Sequence, residues 1–174
     1  MPDIRERVEA DRGLLKKLQL MIPGYAGYRR REDIRAADNI LRLQLSDRMK
    51  AVRGELEGIR DQMAMEGKYH GLQSIGNAIF NLQGLEAKVR HAEGGYSGIS
   101  ATIRIEEREL DQLYEYDWAM FDSLDKAAAV VPIIRDAADG KSFDASLRAF
   151  DGAVKGFESA WNTRIEAITG TQAR

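Results

Sequence analysis

Only three prolines, Pro2, Pro23 and Pro132, interrupt a chain of 174 residues, and the longest stretch between them exceeds a hundred residues. Proline and glycine are the strongest breakers of regular structure, so a chain this poor in proline is free to form long helices. Apolar residues recur at alternating steps of three and four, which is the helical period, and no segment sustains the period of two that a strand needs. Ile103-Arg104-Ile105 alternates, but it runs into Glu106-Glu107-Arg108-Glu109, a strong helix former. The expected fold class is therefore all-α. At this length one domain can bury a sizeable core without covalent staples.

The period places five helices. The first covers about residues 3 to 21, with Ile4, Val8, Leu15, Leu18 and Ile22 on one face, and Pro23 stops it. The second runs from about Arg30 to Glu66 along Ile34, Leu41, Leu45, Met49, Val52, Leu56, Ile59 and Met63, ending at Gly67-Lys68-Tyr69-His70-Gly71. A third carries Leu72, Ile75, Ile79, Leu82, Leu85 and Val89 as far as Ala92. The fourth starts near Ser100, presents Leu110, Leu113, Tyr114, Trp118, Phe121 and Leu124, and reaches Pro132. Beyond it, Ile133 to Ala138 form either a kinked continuation or a short separate helix. The fifth, from an N-cap at Ser142 to Gly170, carries the stripe Phe143, Leu147, Phe150, Val154, Phe157, Trp161, Ile165 and Ile168.

At 1.5 Å per residue the second helix spans roughly 55 Å and the first and third about 30 Å each. These lengths predict an elongated antiparallel bundle, or coiled-coil hairpins, framed by two long helices, the second and fourth. One domain, residues 1–174, is expected. Within it Gly24-Tyr25-Ala26-Gly27 and Gly95-Tyr96-Ser97-Gly98 echo each other, each between two helices. They suggest two weakly repeated helix–loop–helix units, 3–70 and 71–139, followed by an amphipathic helix over 142–169.

Composition closes off most chemistry. No cysteine is present, which removes disulfides, thiolate nucleophiles, iron–sulfur clusters and Cys-containing zinc sites. Two histidines remain, His70 and His91, and neither belongs to the Glu-x-x-His pattern of di-iron bundles. Glu66 and His70 are four apart but straddle a glycine turn. Ser97 in Gly-Tyr-Ser-Gly lacks both the spacing and the preceding strand of a nucleophile elbow. Around Gly140 a calcium loop would need ligands at Arg135 and Ala137, which cannot serve. The acidic run Glu106, Glu107, Glu109, Asp111 and Glu115 is interleaved with Arg104 and Arg108 and reads as a solvated, salt-bridged face. Asp117 differs, because Tyr114, Tyr116, Trp118 and Phe121 surround it. It is expected to be partly buried and to take a tyrosine hydroxyl or an arginine from another helix as partner. The expectation is a protein that is not an enzyme, with no catalytic residue, metal or cofactor.

One constellation carries a binding signal. Tyr25, Tyr28 and the run Arg29, Arg30 and Arg31 cluster where the second helix begins, and unpaired helix amides there also favour an anion. A phosphate, a lipid headgroup or an acidic partner would suit it. The competing account has the tyrosines filling the end of the bundle and the arginines pairing with Glu32, Asp33 or the fourth helix. Tyr96 and Ser97 form the second candidate loop. With 26 Lys and Arg against 28 Asp and Glu, no overall field draws the chain to nucleic acid.

Ile22-Pro23-Gly24-Tyr25-Ala26-Gly27-Tyr28, followed by Arg31-Glu32 and Arg35-Ala36-Ala37-Asp38, with Gly95-Tyr96-Ser97-Gly98 and Leu110-Asp111-Gln112-Leu113-Tyr114-Glu115-Tyr116-Asp117, resembles an uncharacterised prokaryotic family of helical proteins. The resemblance covers roughly residues 14 to 125. It departs from the family pattern at Ile99-Ser100-Ala101, where a Phe-rich segment would follow the second loop. It implies an all-helical structure, no assigned activity, and an association with stomatin-like membrane scaffold genes. Helix length alone is also similar to that of the phage-shock class of membrane-remodelling coiled coils.

The sequence thus points to a scaffold or adaptor whose partner is itself, as a homo-oligomer, or another protein. The alternative is an accessory protein that meets a membrane surface or anionic headgroup through residues 25–31. The longest apolar run, Ala127 to Ile134, is far short of the roughly 20 residues that a spanning helix needs. Met1-Pro2-Asp3-Ile4-Arg5-Glu6-Arg7 has no secretory character. A cytoplasmic protein is expected, peripheral to the inner face of the membrane in the alternative.

Overall fold

In the computed structural model Leu41, Leu45, Met49, Val52, Leu56, Ile59 and Met63 of the second helix are all buried, and they turn one stripe inward from 41 to 63. The structure describes residues 4–25, 27, 31–92, 107–137 and 140–169, with backbone alone at 4–12, 31–35, 107–111 and 168–169. Five helices result: α1 (Ile4–Met21), α2 (Arg31–Met65), α3 (Leu72–Arg90), α4 (Glu107–Ala137) and α5 (Gly140–Thr169). Among the described residues there is no strand. The protein is an all-α helical bundle.

Local chemistry sets the turns. After α2 the Lys68 amide donates to the Met63 carbonyl and the Gly67 amide to Ala64, with Gly67 at φ 70°. That is a Schellman ending, which satisfies the last carbonyls and requires a residue at ease in the left-handed region. Gly71, at φ 83°, then starts α3, and its carbonyl accepts from the Ile75 amide. A Cβ at Gly71 would overlap the ring of Phe143 on α5, so close approach and backbone conformation both demand glycine there.

Cross-helix pairs give the directions. Arg53 pairs with Glu86, while Arg90 reaches Ser46, so α2 and α3 form an antiparallel hairpin. Arg164 reaches Asp117, and Gly156 lies against Ser123, so α4 and α5 form a second one. Arg48 pairs with Asp125 and Glu55 with Arg135, which makes α2 and α4 parallel neighbours. Gly71 against Phe143 and Lys88 beside Glu158 and Asn162 make α3 and α5 parallel as well. The circuit α2, α3, α5, α4 closes a four-helix bundle in which α3 and α4 stand at diagonal corners. The short helix α1 packs on α4, with Lys17 over the Trp118 ring at 5.1 Å.

Two details differ from the sequence reading, and one open choice is decided. The frame has three long helices, because α5 with 30 residues matches α4 with 31. Of the two alternatives at Pro132 the structure takes the continuation, with α4 running on to Ala137. Proline forfeits one hydrogen bond, but buried Val131 and Ile134 on either side keep the segment on the core. Ser142 is not the N-cap of α5, since that helix already begins at Gly140; the Ser142 carbonyl instead accepts from the Ser146 hydroxyl. The expected start of the fourth helix near Ser100 and the loop at 95–98 lie outside the described residues.

Candidate functional site

Helical spacing puts Asp38, Arg42 and Ser46 on one stripe of α2, side by side with the apolar stripe of Leu41, Leu45 and Met49, and all six are buried. A carboxylate and a guanidinium there need partners from other elements. Arg164 of α5, with no exposed side-chain surface, serves the carboxylate: its Nη1 donates to Asp38 Oδ1 at 2.7 Å, while its Nε donates to Asp117 Oδ1 at 2.6 Å. Arg42 Nε donates to the second Asp38 oxygen at 2.8 Å, and Arg42 Nη1 to the Arg90 carbonyl at 3.0 Å. Arg90 Nη1 donates in turn to Ser46 Oγ at 3.2 Å. The hydroxyl of Tyr25, in the loop after α1, donates to Asp117 Oδ2 at 2.9 Å.

Two aspartates and two arginines, Asp38, Asp117, Arg42 and Arg164, therefore form a charge-balanced buried cluster joining α2, α4 and α5. Arg42 extends it to the end of α3, and Tyr25 to the α1–α2 loop. Among the described residues no buried side-chain nitrogen or oxygen lacks a hydrogen-bond partner. Such a network holds the mutual register of helices, because a slip by one turn strands charges in the core.

The expectation for Asp117 is met twice over, since it has both a tyrosine hydroxyl and an arginine from another helix. Tyr25 must be corrected as a surface contact: it is 4% exposed, and its hydroxyl turns inward to Asp117. Burying its ring among the core residues leaves the polar tip to satisfy a buried carboxylate. Tyr28, Arg29 and Arg30 lie outside the described residues, as do Tyr96 and Ser97. Arg31 opens α2, but its side chain is also outside them. Glu66 bonds Gln62 and Lys68, which hold its carboxyl below the usual range, and His70 stands 3.8 Å from Asp144.

Sequence reasoning missed Asp38, Arg42 and Arg164. A signal existed for two of them. In α2 the large apolar residues skip from Ile34 to Leu41, and Asp38 falls with the small Ala37 at the helical step between them. In α5 the step from Trp161 lands on Arg164 as well as on Ile165, and the structure buries Arg164 fully while leaving Ile165 half-buried.

A second feature lies on the surface. Between α3 and α5 runs a groove of about 520 Å³, walled by Leu85, Phe150 and Val154 with Lys88, Asp151 and Lys155 at its edges. Phe80 stands at its rim with 74% of its surface exposed. Lys88 spans the groove to Asn162 at 3.1 Å and Glu158 at 3.7 Å. Burial pushes the Asp151 carboxyl up, against a smaller opposing pull from Lys155.

No protein-family model, curated protein or solved structure matches the chain. Among the described residues no helix is long and apolar enough to cross a membrane.

Proposed function

We propose that the chain is a non-enzymatic helical scaffold or adaptor, which works by contact with a protein partner, a second copy of itself included. One observation carries this reading: the exposed Phe80 ring on the rim of the α3–α5 groove. Aromatic side chains set beside a concave, partly apolar surface are typical anchors of protein interfaces. The buried charge cluster supports the same reading, because its charges are engaged with one another and serve to fix the helices that present that surface. The compartment that fits is the cytoplasm.

The test is photo-crosslinking in cells from a benzophenone side chain introduced in place of Phe80, with Gln62 on exposed α2 as the reference position. A discrete protein adduct from position 80 and not from 62 is expected. Equal smears from both, or adducts from neither, overturn the reading.

The peripheral anion-binding reading is retained in narrower form. It now rests on Tyr28 and on Arg29, Arg30 and Arg31 where α2 begins, without Tyr25. Flotation with anionic vesicles tests it: binding that survives reversal of the three arginines to glutamate removes it.

A further inference from the structure

We infer that the α3–α5 face is self-complementary and pairs with the same face of a second copy of this chain, each Phe80 entering the other's groove. This rests on the contact reading above and names its partner. In a chain with 31% charged residues, the segment Leu72 to Leu85 of α3 has none. Its outward positions are Gln73, Ser74, Asn77, Phe80, Asn81, Gln83 and Gly84, a set of amides, one hydroxyl, one glycine and one aromatic ring. Interface cores are depleted of charge and enriched in aromatic residues in this way. Leu20, Met65, Tyr69 and Ile133 are also exposed, at or near helix ends, and Leu43 is exposed within α2, but none of them borders this groove, and isolated apolar residues on a surface are ordinary.

Charge identifies the occupant. The groove carries Lys88 and Lys155 against Asp151 and Glu158, so the face is neutral and offers no field to a strongly acidic or basic partner. A second copy brings the same balance, and the register of the bundle brings it in matching order. Because α3 and α5 are parallel, with Lys88 level with Glu158, a two-fold axis along the bundle lays α3 of one copy over α5 of the other at the same height. Lys88 then faces Glu158 of the second copy, and the reverse pair forms by symmetry. Asp151 and Lys155 face the uncharged middle of α3, and Phe80 comes down at the level of Asp151 to Val154. Both grooves are filled by one operation, which closes the assembly as a dimer.

The experiment uses the full chain in sedimentation velocity from low micromolar to near-millimolar concentration. The expected result is a monomer–dimer equilibrium that Phe80→Glu weakens at least tenfold; Phe80 is exposed, so the variant keeps its helical circular dichroism. Lys88→Glu and Glu158→Lys each weaken pairing alone. When mixed, they dimerise with each other, because both cross-copy contacts are then between unlike charges. A wild-type chain that stays monomeric overturns the inference, as does a dimer indifferent to Phe80→Glu, or single variants that gain nothing on mixing. If the chain is monomeric while position 80 crosslinks a different protein, self-pairing falls and the adaptor reading stands.

Discussion

Arg164 on α5 and Asp117 on α4 stand 2.6 Å apart with neither side chain exposed, and the same guanidinium holds Asp38 on α2 at 2.7 Å. One side chain thereby bridges two carboxylates on two other helices. Its loss takes a guanidinium from two buried carboxylates at once, a larger effect than loss of one contact. Arg164→Ala is expected to destabilise the bundle by about 3–5 kcal/mol, read from urea denaturation followed by circular dichroism. Replacing all four charges, Asp38, Arg42, Asp117 and Arg164, together by apolar residues of similar size should recover most of that loss. A single-variant cost within the error of the measurement would mean that Arg164 does not hold the two carboxylates as described.

Tyr25 offers a more delicate probe of the same cluster. Tyr25→Phe keeps the ring that fills the end of the core and removes only the hydroxyl that donates to Asp117 at 2.9 Å. A hydrogen bond to a buried carboxylate is worth about 1.5–3 kcal/mol, and a loss of that size is expected. In the Asp117→Asn background the cost of Tyr25→Phe should shrink, since the charge it serves is gone. Equal costs in the two backgrounds would show that the hydroxyl acts elsewhere.

Much of this architecture is legible in the chain, and the reason is local. The stripe from Leu41 to Met63, closed by the glycine turn at Gly67, is helix chemistry that depends on near neighbours, and α2 ends within a residue of its expected limits. Pro23 does the same for α1. The charge cluster was half legible: the aromatic neighbours of Asp117 signalled a buried carboxylate, whereas Arg164 is a surface residue by type, and only packing against α2 and α4 turns it inward. Tyr25 carried two compatible readings, and the choice between them depended on Asp117, 92 residues away. The α3–α5 groove was not legible at all, because it exists only where two distant helices run side by side.

Gly71 links a turn to the core, and two separable penalties follow. Gly71→Ala places a side chain on a backbone at φ 83° and drives its Cβ into the Phe143 ring. The strain of the left-handed conformation costs about 1 kcal/mol or more, and overpacking adds about 1–3 kcal/mol. Phe143→Leu in the same chain should relieve the second part and leave the first, so the double variant is expected to be more stable than the two single costs add up to. Gly58 is the control. It lies within α2, and a Cβ there meets nothing within 4 Å. Gly58→Ala should therefore stabilise the protein by about 1 kcal/mol.

Asp151 gives the pH dependence. Burial at the α3–α5 groove raises its pKa above the unfolded value, and Lys155 only partly offsets this. A carboxyl whose folded pKa is raised binds its proton more tightly in the folded chain. Its ionised form is thus a penalty on folding at neutral pH, and that penalty is relieved as the pH falls through the folded pKa. Asp151→Asn should therefore raise the urea midpoint at neutral pH, and the advantage should fade towards about pH 3, where both side chains are neutral. The comparison is best made in the Phe80→Glu background, so that pairing of copies does not bury Asp151 further. If Asp151→Asn lowers the midpoint at neutral pH, attraction to Lys155 outweighs burial. The groove would then be wetter than its walls of Leu85, Phe150 and Val154 suggest.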